Sequence, residues 1–306
     1  MTEIQALYLL QQVLNGAHAG ALYAALAFGY ALTNGVLKRT NLAYGAVFAF
    51  AGQVLILAAV FGWRVLWLDL PATILLGLIV SSAYAALVSA VISRQVFAPL
   101  ARSSPNAIVT ATLGISLVLM ELGRIAAETR DYWLPPLLSK PVVFADGEGF
   151  AVTLTVLQVT NCAIVLGALL AGAAILARSS LGRAWRAVSD DPRAAALVGI
   201  DTARVFHGTI LAGGLVAAVA GALAALHYGN ISFGTGLVFG LKVLFIAAVG
   251  GYLSPGRAAV GGLAFGVAEA VWSGYFPIEW RDAAMFLGLV ALLVMRPARD
   301  RGHERA

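Results

Sequence analysis

Residues 4–37 read IQALYLLQQVLNGAHAGALYAALAFGYALTNGVL, an unbroken apolar run without a single Asp, Glu, Lys or Arg. The hydrocarbon core of a bilayer is about 30 Å thick and an α-helix rises about 1.5 Å per residue, so about 20 apolar residues cross it. The run is therefore long enough to cross a membrane as one helix. Whether it belongs to a membrane bundle depends on whether similar runs recur.

Similar runs do recur, and they predict an all-α fold. Charge-free segments lie at 40–63, 70–93, 149–177 and 205–241, with 103–120 close behind. We predict nine helices, within a range of about 8–10, at 10–36, 42–62, 70–93, 106–127, 153–177, 206–228, 237–253, 258–276 and 281–296. The predicted architecture is a single polytopic transmembrane bundle over residues 1–306. Because the chain does not begin with a basic region and a cleavage site, we expect a mature N-terminus rather than a signal peptide.

The composition excludes most soluble classes. Of 306 residues, 60% are hydrophobic and 11% are charged, whereas an average soluble domain is about 25% charged. So few charges argue against a soluble enzyme and against a nucleic-acid-binding domain, although the net charge is +5. The single cysteine, Cys162, argues against a disulfide framework and a cysteine-based zinc site. We therefore expect this chain to contact membrane lipid and to bind neither a metal ion nor a nucleic acid.

The basic residues predict the orientation, because cytoplasmic loops of membrane proteins carry the excess of Lys and Arg. One alternate set of loops, together with the tail, contains Lys38, Arg39, Arg94, Arg102, Arg178, Arg183, Arg186, Arg193, Arg204, Arg257, Arg296, Arg299, Arg301 and Arg305. The other set contains only Arg64, Arg130, Lys140 and Arg281. We predict that the C-terminus is cytoplasmic and, with nine helices, that the N-terminus is external.

Two loops are too long to be simple turns. The predicted external loop, 128–152, is rich in Pro and Gly. In the predicted cytoplasmic loop, 178–205, a short helix is expected after Asp191, which suits an N-cap. Pro192 suits the first helical position and Gly199 the left-handed C-terminal cap. Two interpretations stay open: a helix that docks into a groove of another protein, and a solvated loop whose arginines only fix the topology.

Several stretches occur in an order and spacing that resemble a known family. They are GALYAALAFGY at 20–30, NLAYG at 41–45, FAPLARSS at 97–104, TLGIS at 112–116, LGRAWRAV at 181–188, ALVGID at 196–201, GLK at 240–242, AAVGG at 247–251 and GGLAFGVAEA at 261–270. Together they resemble the permease subunits of bacterial ABC importers for branched-chain amino acids and related amides. The resemblance covers nearly the whole chain.

The resemblance implies a heteromeric importer in the bacterial inner membrane. A second permease of similar type, two cytoplasmic ATPase subunits that use ATP and Mg²⁺, and an external solute-binding protein would complete it. The chain has no G-x-x-x-x-G-K-[ST] phosphate loop, so we expect a transporter subunit without its own ATPase site and without a bound cofactor. The resemblance places the ATPase contact in the cytoplasmic loop, at Gly182, Arg183, Arg186, Asp190, Asp191, Pro192 and Gly199.

The chain also departs from the family pattern. The family's Asn-Phe-Ala-His-Gly-Glu appears here as NLAYGA at 41–46, so that Tyr44 and Ala46 replace a histidine and a glutamate. A glycine-rich turn appears in shortened form as GGYLSPG at 250–256. These changes bear on the solute more than on the architecture. Urea or a short amide on the same scaffold stays open, and so does an ion-coupled secondary transporter.

Charged residues inside a span are costly and are functional candidates. Lys242 and Glu269 lie at similar depth on neighbouring antiparallel helices, so we predict that they pair, either as a structural ion pair or beside the solute path. The substrate-path candidates are Asn41, Tyr44, Lys242 and Glu269. The similarity of NLAYG at 41–45 to NISFG at 230–234 also suggests an inverted repeat, with interrupted backbone lining a central site.

Overall fold

The computed structural model describes residues 3–100, 105–147, 149–232 and 234–295. The helices are α1 (Glu3–Leu37), α2 (Ala43–Arg64), α3 (Leu70–Val91), α4 (Pro105–Ala126), α5 (Val156–Arg178), α6 (Ser180–Asp190), α7 (Pro192–Leu197), α8 (Thr202–Tyr228), α9 (Thr235–Gly250), α10 (Pro255–Tyr275) and α11 (Arg281–Met295). Helix α3 continues through a π-helical segment, Ile92–Phe97, into a last short turn, Ala98–Leu100. Two strands, β1 (Pro141–Gly147) and β2 (Phe150–Thr155), lie between α4 and α5.

The predicted all-α polytopic bundle is confirmed, and each of the nine predicted helices has a counterpart. Among the described residues, six helices are long and apolar enough to cross a membrane. The pair α9 and α10, bent by 120° at its short connection, raises the number to seven if the pair forms one span. Helix α11 has 15 residues and is about 22 Å long. That α11 crosses the membrane stays a prediction, and so does the odd number of spans that depends on it.

Helices α1 and α10 make the most extensive helix–helix contact among the described residues. A Cβ atom on Gly20 would lie 2.7 Å from the carbonyl oxygen of Leu263, and one on Gly262 would lie 2.5 Å from the backbone nitrogen of Ala24. Side chains larger than hydrogen at these positions would push the two helices apart. Small residues allow backbones to approach closely where lipid supplies no hydrophobic force between helices. Helix α1 is thus fixed along α10 by backbone contact.

The predicted external loop contains a β-hairpin that was not expected. Strands β1 and β2 pair antiparallel from Pro141 with Thr155 to Gly147 with Phe150. Helix α5 begins at Val156 rather than at residue 153, because Thr155 ends the strand and caps the helix, accepting a bond from the Gln158 backbone N–H. The side-chain amide of Gln11 binds both backbone groups of Thr153, at 2.9 and 2.8 Å. We call this end of the bundle the hairpin end.

The opposite end, the basic end, is formed by the C-terminal part of α1, by α6 and α7, and by the first turn of α8. The sequence predicted only one short helix here, corresponding to α7. Helix α6 was not predicted, and in this respect the prediction was wrong. Its apolar residues Leu181, Trp185 and Val188 recur at helical spacing between arginines, a pattern that indicates an amphipathic helix. Arg102 and the basic residues after Met295, used in the orientation argument, lie outside the described residues.

Candidate solute site and basic end

A cavity of about 780 Å³ opens among α1, α2, α8, α9 and α10 towards the hairpin end. Its polar lining residues are Gln12, Asn15, Asp131, Asn230, Ser232, Thr235, Lys242, Glu269, Ser273 and Arg281. Its aromatic lining residues are Tyr23, Phe48, Trp133, Tyr228 and Phe239. Polar groups placed in a largely apolar concavity are typical of small-molecule sites.

Three charged lining residues, Lys242, Glu269 and Arg281, form a cluster with a neighbouring acid, Asp282. We call these four side chains the ionic quartet. The Lys242 ammonium lies 2.6 Å from a carboxylate oxygen of Glu269 and 3.0 Å from one of Asp282. The Arg281 Nε lies 3.6 Å from the same oxygen of Glu269 and 3.4 Å from that of Asp282. Each cation therefore contacts both anions, and the formal charge of the quartet is zero.

Burial differs sharply within the quartet. The side chains of Lys242 and Glu269 are 4% and 11% exposed, whereas those of Arg281 and Asp282 are 35% and 49% exposed. A buried charge without a partner is strongly destabilising, so the inner pair depends on its mutual contact. The predicted pairing of Lys242 with Glu269 is confirmed. The contacts of Arg281 and Asp282 with this pair were not predicted, although adjacent opposite charges at the start of α11 were a visible signal in the sequence.

An aromatic wall, formed by Tyr23, Phe48 and Phe239, stands beside the quartet. The rings of Tyr23 and Phe239 stack with centroids 5.5 Å apart, and those of Phe48 and Phe239 stack at 5.2 Å. The Lys242 ammonium lies 5.9 Å from the centroids of both Tyr23 and Phe239, within the range of a cation–π contact. The cavity thus presents charge and apolar surface side by side.

The other two path candidates, Asn41 and Tyr44, lie apart from the lining of this cavity. The Asn41 side chain accepts a hydrogen bond from the backbone N–H of Ala43 at 3.0 Å, at the start of α2. The hydroxyl of Tyr44 donates to the carbonyl of Gly213 at 3.2 Å, and both residues are buried. The structure therefore brings together Lys242 and Glu269 but not Asn41 and Tyr44, whose role on the path stays a prediction.

The first of the two similar stretches of sequence lies against the helix that follows the second. Helices α2 and α9 meet at their first turns, where a Cβ atom on Gly236 would lie 2.8 Å from the carbonyl oxygen of Gly45. Asn41 precedes one of these helices and Asn230, which lines the cavity, precedes the other. The relation between the two halves of the chain stays a prediction.

At the basic end, Trp185 anchors α6 to α1. Its indole N–H donates to the carbonyl oxygen of Leu32 at 3.1 Å. The ring packs so close to Gly35 that a Cβ atom there would lie 2.5 Å from it. The Lys38 ammonium also donates to the backbone carbonyl of Asp190 at 3.0 Å. These contacts fix α6 against the end of the longest helix.

The caps predicted for α7 are confirmed. The Asp191 carboxylate accepts from the backbone N–H of Arg193 at 2.7 Å and of Ala194 at 3.2 Å. The bond from Ala194, followed by the bond from Arg193, stabilises the ionised carboxylate and holds the pKa of Asp191 below its usual range. Pro192 begins the helix and Gly199, just beyond its end, has a φ of +84°.

Three other predicted coupling residues, Gly182, Arg183 and Arg186, lie near the junction of α5 and α6, whereas Asp190 is the last residue of α6. The Gly182 backbone packs against the carbonyl of Leu176, leaving no room for a side chain. The guanidinium of Arg186 donates to the same carbonyl, and that of Arg183 donates to the carbonyl of Arg178 at 3.4 Å. Leu181, Leu197 and Val198 are exposed, with Leu197 at 89%. Apolar tips among arginines form a surface suited to protein contact.

Comparison with known proteins then decides the family. A family model described as "Branched-chain amino acid transport system / permease component" matches residues 12–295. The chain belongs to this family. The permease is thus a component of a transport system rather than an enzyme, and a multi-pass membrane protein.

Individual relatives agree with the family. The permease is 33% identical over 297 residues to the high-affinity branched-chain amino acid transport system permease protein LivH of Salmonella typhimurium, covering 96% of this chain and 95% of that relative. LivH of Escherichia coli K12 gives the same identity and coverage. The permease protein BraD of Pseudomonas aeruginosa is 29% identical over 292 residues, 94% of each chain. No solved structure matches the permease.

Proposed function

We propose that the permease is the membrane subunit of an ATP-driven importer that carries a branched-chain amino acid into the cell. One observation carries the proposal besides the family: the cavity offers charges of both signs next to an aromatic wall. A branched-chain amino acid has the same two parts, since a charged ammonium and carboxylate adjoin an apolar side chain. Neither a simple ion nor urea has both.

The proposed orientation places the hairpin end outside and the basic end, with the C-terminus, in the cytoplasm of a bacterium. The described basic residues near the basic end are Lys38, Arg39, Arg94, Arg178, Arg183, Arg186, Arg193, Arg204 and Arg257. Such an excess is characteristic of cytoplasmic loops. The cavity would then receive solute from outside.

The proposed partners follow from this orientation. The α6–α7 segment would dock into one of two ATPase subunits, which bind ATP and Mg²⁺, and a second permease of similar type would complete the pathway. An external solute-binding protein would deliver the amino acid at the hairpin end. The exposed Leu197 and Val198 and the arginines around them support a docking role for α6–α7.

The proposed mechanism is alternating access. Binding of ATP by the partners would push on α6 and α7, and Trp185 would pass the displacement to α1 through its bond to Leu32. Helix α1 carries Tyr23 in the cavity wall. Movement of the basic end would thereby change the shape of the solute site, and the solute would leave past the region of Asn41 and Tyr44.

The decisive experiment is uptake by the complete transporter. The permease, reconstituted in proteoliposomes with its cognate second permease, ATPases and binding protein, is expected to take up labelled leucine only when ATP is supplied to the ATPases. Uptake of urea in preference to leucine would replace the proposed cargo. Leucine uptake by the permease alone, driven by an ion gradient without the ATPases, would support the secondary transporter instead.

A further inference from the structure

We propose that the ionic quartet is the receptor for the zwitterionic head of the amino acid. Lys242 and Arg281 would bind the α-carboxylate, and Glu269 and Asp282 the α-ammonium. This inference rests on the proposed function and specifies the chemical class of its ligand. The alternative is that the quartet only holds α9, α10 and α11 together.

The geometry of the quartet favours a receptor over a plain structural bridge. One ion pair would suffice to neutralise Lys242, yet Glu269 and Asp282 both lie within 3.0 Å of its ammonium. The second cation, Arg281, again faces both acids. Two cations and two anions in mutual contact provide two positive and two negative groups, which is the complement of a ligand with one charge of each sign.

The difference in exposure within the quartet provides an access route for the ligand. The pair Arg281 and Asp282 is partly exposed, whereas Lys242 and Glu269 are almost fully buried. Exposed ion pairs hold their side chains only weakly, so Arg281 and Asp282 can move away from the inner pair at small cost. An arriving carboxylate would displace Asp282 from Lys242 and keep Arg281 as its second cationic partner. The ammonium would displace Arg281 from Glu269 and keep Asp282 as its second anionic partner.

The exchange preserves charge balance. Each protein ion pair that opens is replaced by an ion pair with the ligand, so no charge in the cavity loses its partner. A ligand with a single charge would leave one protein charge uncompensated, which is costly at a buried position. The remaining acid of the lining, Asp131, is exposed near the hairpin end. The quartet therefore selects against both cationic and anionic analogues of an amino acid.

The aromatic wall places the side chain of the ligand. Tyr23 and Phe239 both lie about 6 Å from the Lys242 ammonium, so a ligand held by its head groups would lay its aliphatic carbons against their rings. Apolar contact there adds the favourable free energy of burying those carbons. The site would accept leucine-sized side chains more readily than polar ones.

The test uses three related compounds: leucine, leucinamide, which lacks the carboxylate charge, and 4-methylpentanoate, which lacks the amine. The permease is purified in complex with its second permease and ATPases, in nanodiscs and without the binding protein. The thermal unfolding midpoint of the complex is then measured as a function of the concentration of each compound. The compounds are compared by the concentration that gives half of the maximal rise in this midpoint. For the unaltered complex we expect leucine to act at concentrations at least about tenfold below those of the other two.

Two variants of the outer pair give opposite expectations. Arg281→Gln removes a positive charge and should abolish the preference for leucine over leucinamide. Asp282→Asn removes a negative charge and should abolish the preference over 4-methylpentanoate. Glu121→Gln is the matched control, because the ion pair of Glu121 and Arg124 is also 2.6 Å long but half-exposed and outside the cavity lining. It should leave the order of the three compounds unchanged.

A merely structural quartet predicts a different result. The variants would then lower the thermal midpoint but keep the order of the three compounds, and that outcome would overturn the inference. Lack of any stabilisation by leucine in a complex that imports leucine would overturn it as well. In both cases ATP-driven leucine uptake by the unaltered complex would still support the proposed function, so that the two proposals fail separately.

Discussion

The two ends of the permease use charge in opposite ways. At the hairpin end, Lys242 reaches Glu269 and Asp282, which lie 27 and 40 positions further along the chain. At the basic end the hydrogen bonds to side-chain carboxylates are local: Asp191 accepts from the backbone N–H of Ala194, and Asp201 accepts from that of Arg204. The first arrangement exists only when three helices are in place. The second exists as soon as its own segment folds.

This difference separates a site from a surface. The inner charges of the quartet are buried, satisfied by one another and enclosed beside a cavity. The charges of the basic end are exposed and flank apolar tips such as Leu197. A small solute requires the first arrangement, which surrounds it, whereas a large protein partner requires the second. Substitutions at the two ends should therefore affect stability and coupling differently.

The largest effect is expected from Lys242→Met. It would leave the buried Glu269 carboxylate without its cation at 2.6 Å and with Arg281, at 3.6 Å, as the remaining one. Loss of one partner of a buried pair costs about 3–5 kcal/mol. The thermal midpoint of the purified complex should fall sharply. The double substitution Lys242→Met with Glu269→Met removes both buried charges and should recover much of that loss. Equal destabilisation by the single and double variants would contradict the pairing argument.

A smaller and more local effect is expected from Trp185→Ala. Truncating a buried tryptophan costs about 3–5 kcal/mol, but here the loss falls on the contact of α6 with α1 and not on the whole bundle. Amide hydrogen exchange over Ser180–Asp190 should speed up by about a hundredfold, while the thermal midpoint changes little. Solute-stimulated ATP hydrolysis should fall, yet leucine should still stabilise the complex. Unchanged hydrolysis would argue against coupling through α6.

The smallest effect is expected from Asp191→Ala, which removes the cap of α7. Exchange of the Arg193 and Ala194 amides should become roughly fivefold faster. Asp191→Asn is the matched control, since asparagine caps helices as well as aspartate does, and it should behave like the unaltered chain. Because its pKa is lowered, the cap of Asp191 is fully formed above the ordinary carboxyl range and is lost only as the pH falls through the lowered pKa. The effect of Asp191→Ala should therefore be constant between about pH 6 and 8.

The sequence was sufficient to predict those elements that depend on interactions between neighbouring residues. Apolar runs predicted the membrane helices, and Asp191, Pro192 and Gly199 predicted the limits of α7 because caps depend on neighbouring residues. Depth counted along two helices was enough to pair Lys242 with Glu269. In each case the relevant interaction is either short in sequence or set by the thickness of the membrane.

Sequence patterns were insufficient where an element depends on contacts with distant parts of the chain. Helix α6 was missed because only Leu181, Trp185 and Val188 among its 11 residues are large and apolar, and these residues matter only when Trp185 meets α1. The hairpin was missed although two β-branched runs flank Asp146 and Gly147, a pattern that favours a turn. Arg281 and Asp282 joined the site because the bend after α10 brings the start of α11 over Glu269. No spacing rule along the chain predicts that meeting.

Helix α1 has 35 residues and is therefore about 52 Å long. One side chain, Gln11, holds the hairpin, Tyr23 borders the cavity, and the carbonyl of Leu32 holds Trp185. A rod of this length that tilts by about 5° around its middle moves each end by about 2 Å, in opposite directions. A tilt of α1 would then move the hairpin end and the basic end together. A substitution near one end of α1 would therefore change the structure at the other end.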